Sequence, residues 1–310
     1  MQVHFGVGLL RAEWRTAVAC VGTFDGVHLG HQAVILEAIK QAAEHELPCI
    51  VVTFDRHPSS VLAPHKCPKA VAGLQENLDM LSGLGVAATV VLPFDAELSR
   101  MSAERFLREI LIGGTKASSL VVGHDFAMGH AREGNTDWLG ARLPTFVVPP
   151  YEINDLRVSS SAIRLAVQEG RMGDAMRLLG RPFSISGVVV SGQKLGRQLG
   201  YPTANIARSI DQVMPIDGVY AGWLHCPTGR FATATSIGMR PAVGGKERTI
   251  EAYVLDYPGD SLYGKPVQLE LVKLLREERN FDSLAALTQQ IDQDVEQTRN
   301  TLQLASKNTS

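Results

Sequence analysis

An α/β chain of two domains is predicted, a doubly wound parallel sheet followed by an antiparallel β-barrel with a terminal helix. Three observations predict it. The 310 residues are too many for one ordinary domain and comfortable for two, each able to bury its own core. From residue 17 to about 150, short apolar runs alternate with segments of helical period. After Arg181-Pro182 the strand-like runs follow one another directly, separated by Gly and Pro. The boundary is therefore set near residue 182, giving domains 1–182 and 183–310, with no internal repeat.

In the first half, Ala17–Phe24, Cys49–Phe54, Val86–Leu92, Leu120–Gly123 and Thr145–Val148 read as buried strands. His31–Glu46, Leu74–Leu84 and Ser102–Ile112 read as the helices between them. Strands separated by helices imply right-handed crossovers and a parallel sheet covered on both faces. Ligands on such sheets sit beyond the carboxyl ends of the strands, where strand order switches. Ser159–Gly170 reads as a helix opening at a serine cluster and closing on a C-cap glycine, and Met172–Gly180 as a second short helix.

In the second half, Ser184–Val190, Gly218–Leu224, Phe231–Ile237, Ile250–Leu255 and Val267–Leu274 are strand-like, as a small barrel requires. The last element is a helix capped by Asp282 or Ser283, with Leu284, Leu287, Ile291 and Val295 as its apolar stripe. Ala305–Ser310 is expected to fray.

Composition narrows the function classes. Hydrophobic residues at 45% and charged residues at 20% are globular values. Thirty basic residues stand against 32 acidic ones, a formal charge of −2, so the broad basic face that nucleic acid demands is missing. Cys20, Cys49, Cys67 and Cys226 are scattered, against a disulfide framework and in keeping with a reducing compartment. Met1–Phe5 carries no secretory pattern, and no run approaches the roughly 18 apolar residues of a membrane span. A cytoplasmic enzyme acting on small molecules is expected, without nucleic acid or membrane as partner, and a homo-oligomer is allowed for.

The first candidate site is Gly22-Thr23-Phe24-Asp25-Gly26-Val27-His28-Leu29-Gly30-His31, where the first strand ends and a helix begins. A helix N-terminus offers unpaired N–H groups and the positive end of its dipole, and so attracts phosphate. His28 and His31, three apart, put both rings on one side of the first turn, and Gly30 leaves the backbone open to a phosphate. Two imidazoles so placed can donate to oxygens around an α-phosphorus as charge builds. An isolated HxGH could equally be surface histidines beside a turn, but here it has a strand–turn–helix setting. A second cluster supports it: Ser159, Ser160 and Ser161 open another helix with Arg164 one turn along, a cradle for β- and γ-phosphates. The pattern resembles the HxGH nucleotidyltransferases, and no KMSKS-like segment turns it toward an aminoacyl-tRNA synthetase.

The second candidate site is Gly192-Gln193-Lys194-Leu195-Gly196-Arg197-Gln198-Leu199-Gly200-Tyr201-Pro202-Thr203-Ala204-Asn205. Gly192, Gly196 and Gly200 permit a loop that folds close over phosphates. Thr203 and Asn205 are two apart, sharing a face in extended backbone, and their neutral oxygens suit Mg²⁺. Gly187–Lys194 is no P-loop, since Gln193 stands where that motif needs its lysine. Gly83–Ala88 follows a helix and opens a strand, the reverse of a dinucleotide fingerprint. A metal site from His57, His65, His124, His130 and Cys67 is disfavoured by irregular spacing.

An HxGH half followed by a Gly-rich, Pro-Thr-Ala-Asn barrel resembles the prokaryotic bifunctional FAD synthetases, riboflavin kinase plus FMN adenylyltransferase. The resemblance extends over Thr53–Pro58, Val121–Phe126, Arg157–Arg164, Asp217–Ala221, Ser236–Pro241, Ile250–Tyr253 and Leu275–Phe281. It implies that ATP is the co-substrate of both reactions, with riboflavin, FMN and FAD as substrate and products, and Mg²⁺ as the metal. It implies that His28 and His31 stabilise the adenylyl transition state, and that Ser160, Ser161 and Arg164 hold the ATP phosphates. Gly22, Phe24, Asp25, Gly30, His57 and Asp125 would line the adenylyl-site ligands. In the barrel, Thr203 and Asn205 would hold Mg²⁺, Glu251 would be the general base, and Gly192, Gly196, Gly200, Pro202 and Arg276 would bind substrate. Arg56, Ala127-Met128, Ser236, Ala242 and Val243 depart from the family pattern, which bears on substrate affinity more than on reaction type. Adenylylation of another phosphorylated acceptor, such as a pantetheine or nicotinamide nucleotide, would leave the kinase half without purpose. A flavin-binding regulator would not need His28, His31, Thr203, Asn205 and Glu251 intact.

Overall fold

In the computed structural model, residues 1–7, 14–192, 196, 200–242, 245–259 and 261–307 are described. The chain divides into two compact units, Met1–Ser160 and Ser161–Ser310. Gln193–Leu195, Arg197–Leu199, Val243 and residues 308–310 lie outside the described residues.

The first unit is built on six parallel strands: β1 (Gln2–Phe5), β2 (Ala17–Val21), β3 (Cys49–Phe54), β4 (Ala88–Leu92), β5 (Ala117–Gly123) and β6 (Thr145–Val148). Their order across the sheet is β1-β4-β3-β2-β5-β6. Strand β2 is buried at every residue, and its alternation splits it between two cores. Ala17, Ala19 and Val21 join Ile50, Val52, Val90 and Leu111 on one face, while Val18 and Cys20 join Val51, Val91, Ile35 and Ala38 on the other. That two-sided burial is why the strands read as unbroken apolar runs. The chain leaves β2 for β3 on one side and later returns to place β5 on the other, so the switch point lies beside the end of β2. Helix α1 (Leu29–Glu44) starts there, and α2 (Leu74–Gly83) leads into β4.

Two differences from the sequence reading have local causes. Strand β1, not anticipated, is a short edge strand whose side chains are only half-buried or exposed, so it lacks the apolar run of its neighbours. The segment expected as one helix over Ser102–Ile112 begins at Ala103–Arg105 and continues as a π-helix over Phe106–Gly114. A Cβ at Gly113 would stand 2.9 Å from the Arg108 carbonyl oxygen, so the wider turn closes only because glycine is there.

The second unit opens with α3 (Ser160–Gln168), whose first residue still belongs to the first unit, and α4 (Met172–Leu179), which ends on left-handed Gly180. Six antiparallel strands then close a barrel: β7 (Phe183–Val190), β8 (Thr203–Arg208), β9 (Gly218–Cys226), β10 (Gly229–Ala242), β11 (Gly245–Val254) and β12 (Pro266–Glu277). They run β7-β8-β11-β10-β9-β12, and β12 returns to β7. Five strands were expected. The sixth, β8, carries Thr203 and Asn205 and is hidden in sequence by its polar outer face. Phe183, Ile185, Tyr220, Leu224, Ile237, Ile250 and Leu269 fill the interior, and α4 packs against β12 and β7.

The terminal helix α5 (Leu284–Lys307) is capped by Ser283, whose Oγ accepts from the Ala286 amide at 3.2 Å. Of its expected apolar stripe, Leu284 is 61% exposed, while Leu287, Ile291 and Val295 are half-buried. The buried line is Gln290, Asp294, Thr298 and Leu302, four apart. Polar residues can lie there because Asp294 meets an arginine from the barrel and Thr298 Oγ1 donates to the Asp294 carbonyl at 2.8 Å. The helix also runs on to Lys307, into the segment expected to fray. Among the described residues, no helix is long and apolar enough to cross a membrane.

Candidate active sites

The loop between β2 and α1 is held from both ends. Phe24, Gly26 and Val27 adopt left-handed backbone, with φ of 44°, 81° and 37°. A positive φ at a β-branched valine costs about 1–3 kcal/mol, which the surroundings must impose. They do so through Asp25: its buried carboxylate accepts from the amides of Val71 at 2.8 Å and Ala72 at 3.2 Å. The Gly26 amide donates to Asn77 Oδ1 at 3.0 Å. A Cβ at Gly22 would stand 2.9 Å from the ring of Phe24, which is how that buried ring fits beneath the turn.

This bracing delivers two histidines in a defined chemical state. His28 is the N-cap of α1, its Nδ1 accepting from the His31 amide at 3.1 Å. An accepting Nδ1 carries no proton, so the neutral ring bears its hydrogen on Nε2. The His31 ring stacks on it, centroids 3.5 Å apart and planes 15° from parallel, and the edge of Phe24 meets His31 at 5.4 Å. Burial, and then the neighbouring His28, push the His31 pKa well below its usual value. Both rings are therefore neutral donors near pH 7, at a helix N-terminus whose dipole favours an anion. The side of Gly30 that was expected to face a phosphate is partly filled: a Cβ there would stand 3.3 Å from the His28 ring.

Ser160 is bound to the same loop, its Oγ donating to the Asp25 carbonyl at 3.2 Å. Ser161 and Arg164 lie further along α3, exposed and half-buried respectively, in the second unit. Two other candidates are engaged elsewhere. His57 Nδ1 accepts from the Ser59 amide at 3.1 Å, and exposed Asp125 pairs with Arg157 at 2.6 Å.

In the barrel the register does the assembling. Strand β8 lies against β11 so that Thr203 faces Tyr253 and Asn205 faces Glu251, and β10 places Ser236 on the other side of Glu251. Ala204 and Ala252, between them, point into the barrel, so Thr203, Asn205, Glu251 and Tyr253 share its outer face. Gly192 folds against this face, and any Cβ there would collide with the Asn205 amide. The Tyr201 amide donates to the Gly196 carbonyl at 2.7 Å, and Gly200 has φ 89°. A cleft of about 590 Å³ runs from Gly200, Pro202 and Thr203 to Tyr253, Asp256, Tyr257 and Tyr263. Asp256, Tyr257 and Tyr263 escaped the sequence reading, because they follow β11 in the chain and carry no motif of their own. Arg276 is otherwise occupied: its guanidinium forks onto Asp294 at 2.8 and 3.0 Å, anchoring α5.

Comparison with known proteins completes the picture. The FAD synthetase family matches residues 10–162 and the riboflavin kinase family residues 179–302. A bifunctional riboflavin kinase/FMN adenylyltransferase of Pseudomonas fluorescens is 38% identical over 301 residues, 95% of this chain and 96% of the relative. That of Escherichia coli strain K12 is 35% identical over 292 residues, 92% and 93% of the two chains. A crystal structure from Streptococcus pneumoniae, described as a macrolide-efflux protein, superposes with a TM-score of 0.89 at 29% identity. It covers 97% of this chain and 99% of that one.

Proposed function

The chain belongs to the bifunctional riboflavin kinase/FMN adenylyltransferase family, and from that premise we propose which of its residues carry the two reactions. The enzyme phosphorylates riboflavin to FMN with ATP and joins FMN to an adenylyl group from a second ATP, giving FAD.

For adenylyl transfer, the observation that carries the assignment is the stacked, neutral histidine pair capping α1. A phosphate oxygen of FMN attacks the α-phosphorus, the bond to the β-phosphate oxygen breaks, and pyrophosphate leaves. His28 donates from Nε2 to the α-phosphate oxygens as charge gathers there, and His31 assists beside it. The N-terminal amides of α1 attract the departing pyrophosphate, and Ser160, Ser161 and Arg164 are the residues the family resemblance assigns to the ATP phosphates. Asp25 works indirectly, fixing the loop through the amides of residues 71 and 72.

For phosphoryl transfer, the carrying observation is Asn205 paired across the strands with Glu251. Glu251 takes the proton from the terminal ribityl hydroxyl as its oxygen attacks the γ-phosphorus, and ADP leaves. Thr203 and Asn205 suit Mg²⁺: both offer neutral oxygens on one face, and the space above Asn205 exists only because residue 192 lacks a Cβ. When bound, Mg²⁺ would neutralise phosphate charge. The cleft beside Thr203 holds the nucleotide.

The proposal extends to setting. We assign the functional boundary to residue 182, just inside the riboflavin kinase match that begins at residue 179, together with a cytoplasmic location, small-molecule substrates rather than nucleic acid, and a chain able to self-associate. Separate assays test the residue assignments. Thr203→Ala combined with Asn205→Ala should weaken Mg-ATP use in riboflavin phosphorylation and spare FAD synthesis from supplied FMN. Unchanged Mg²⁺ dependence of the kinase removes the metal assignment.

A further inference from the structure

The terminal helix touches both rims of the kinase cleft. On one rim Tyr201, between cleft-lining Gly200 and Pro202, donates its hydroxyl to the Asp292 carboxylate on α5. The same tyrosine meets the edge of Tyr253 at 5.3 Å and holds the Gly196 carbonyl through its amide, so three ties fix it. On the other rim Asp256 lines the cleft with left-handed backbone at φ 52°. Both its carboxylate oxygens are taken by the Arg299 guanidinium, at 2.6 and 2.7 Å.

Asp292 and Arg299 are seven apart, about two helical turns, and so lie on one face of α5. The line that anchors the helix, Gln290, Asp294 and Thr298, lies on another. The helix is thus fixed to the barrel by one face and reaches the cleft with a second. Charge gives the second face a purpose. A nucleotide polyphosphate is strongly anionic, and an unmasked carboxylate on the cleft wall would repel it; the Arg299 fork cancels that charge. The Tyr201 hydroxyl donates to Asp292, and that hydrogen bond, with burial, pushes its pKa up to about 12.

We propose that Asp292 and Arg299 are positioning residues that hold the two rims of the kinase cleft for its nucleotide, setting affinity for Mg-ATP without entering the chemical step. The proposal rests on the reading that this cleft is the nucleotide site. Neither residue touches substrate; Asp292 acts through Tyr201, and Arg299 acts through Asp256.

The test uses the full chain and Asp292→Ala, Arg299→Ala, Asp292→Asn and Thr203→Ala variants. Mg-ADP affinity is measured by calorimetry, KM for Mg-ATP and kcat in riboflavin phosphorylation, and FAD synthesis from FMN as the readout of the other unit. Each alanine variant should bind Mg-ADP about three- to five-fold more weakly, the range expected for a charge-assisted contact near the surface. KM for Mg-ATP should rise in step, kcat should stay within two-fold, and FAD synthesis should be unmoved. Asp292→Asn, which still accepts from Tyr201, should recover most of the affinity. Alanine variants that bind Mg-ADP within 1.5-fold of wild type overturn the proposal, as does a fall in kcat equal to the fall in affinity. Thr203→Ala separates the two readings. If it alone loses affinity, the helix proposal fails and the cleft stands; if it also binds normally, the nucleotide lies elsewhere and both fail.

Discussion

The two units build their sites in opposite ways. In the first, the chemical centre is one stretch of ten residues, Gly22 to His31, at the end of a strand and the start of a helix. In the second, the corresponding groups come from Gly192, from β8 and from β11, and only the pairing of Asn205 with Glu251 joins them across 46 positions. A local site can be strained, and the first one is: left-handed Phe24 and Val27 are tolerated because Asp25 ties the loop down at 71 and 72. The barrel site carries its own left-handed residue, Asp256, on the cleft wall, but the groups assigned to chemistry sit on regular strands. Its precision comes from register, since a slip of one residue would send Glu251 into the core.

This contrast predicts that single substitutions act differently in the two units, and the largest effect belongs to the barrel. Glu251→Gln keeps size and strand pairing but removes the basic carboxylate. Kinase kcat should fall by about 10²–10⁴, the usual contribution of a positioned base, with KM values little changed. FAD synthesis from FMN should persist. A variant that phosphorylates riboflavin within a few-fold of wild type would return Glu251 to the status of a strand residue facing Asn205 and Ser236.

The next effect sharpens the comparison because, in the local site, chemistry and architecture share a residue. His28→Ala should lower FAD synthesis by about 10²–10³ by removing a donor to the α-phosphate. It should also lower the stability of the first unit by about 0.5–2 kcal/mol, because the N-cap of α1 is lost. His28→Asn restores a capping oxygen and should recover the stability without the rate. Denaturant unfolding beside the rate assay reads both, and equal recovery of the two would deny that the imidazole has a separate chemical role.

The same contrast explains what the sequence could say in advance. The parallel sheet and the histidine turn were legible because both are local patterns: apolar runs with helices between them, and an HxGH at a strand–helix junction. The edge strand β1 and the barrel strand β8 were not, since neither carries an unbroken apolar run, and β8 gives its outer face to polar groups. The π-helix is invisible for another reason: Gly113 and Gly114 look like a helix end, and their effect lies in how closely a carbonyl approaches. The buried polar line on α5 reads as a solvated face until Arg276 is known to lie opposite. Arg276 was singled out for binding, and its fork is spent on Asp294. Among the departures from the family pattern, Arg56 pairs with its neighbour Asp55 at 2.8 Å, and Ala127-Met128 forms a two-residue ladder with Gly134-Asn135.

The smallest effect is one of pH, and it belongs to the first unit alone. Burial, then His28, hold the His31 pKa below the ordinary 6.5. In the unfolded chain that ring titrates near 6.5; in the folded chain it stays neutral to lower pH. Above pH 6.5 both states carry a neutral ring, and the group contributes no pH dependence. Below it the unfolded state binds a proton that the folded state refuses, so stability falls as pH falls. The slope from this one group is at most about 1.4 kcal/mol per pH unit, ending where the folded ring itself titrates. His31→Gln removes the titrating group, and the first unit should then lose less stability between pH 6.5 and 5.5 than wild type does, by up to that amount. The barrel's unfolding should show the same pH dependence in both proteins. Denaturant midpoints at the two pH values check this, with His28 kept intact so that the N-cap remains. Parallel curves for wild type and variant would mean that His31 takes up its proton as readily in the folded site as in the unfolded chain, and a cationic partner to phosphate would then replace the neutral pair.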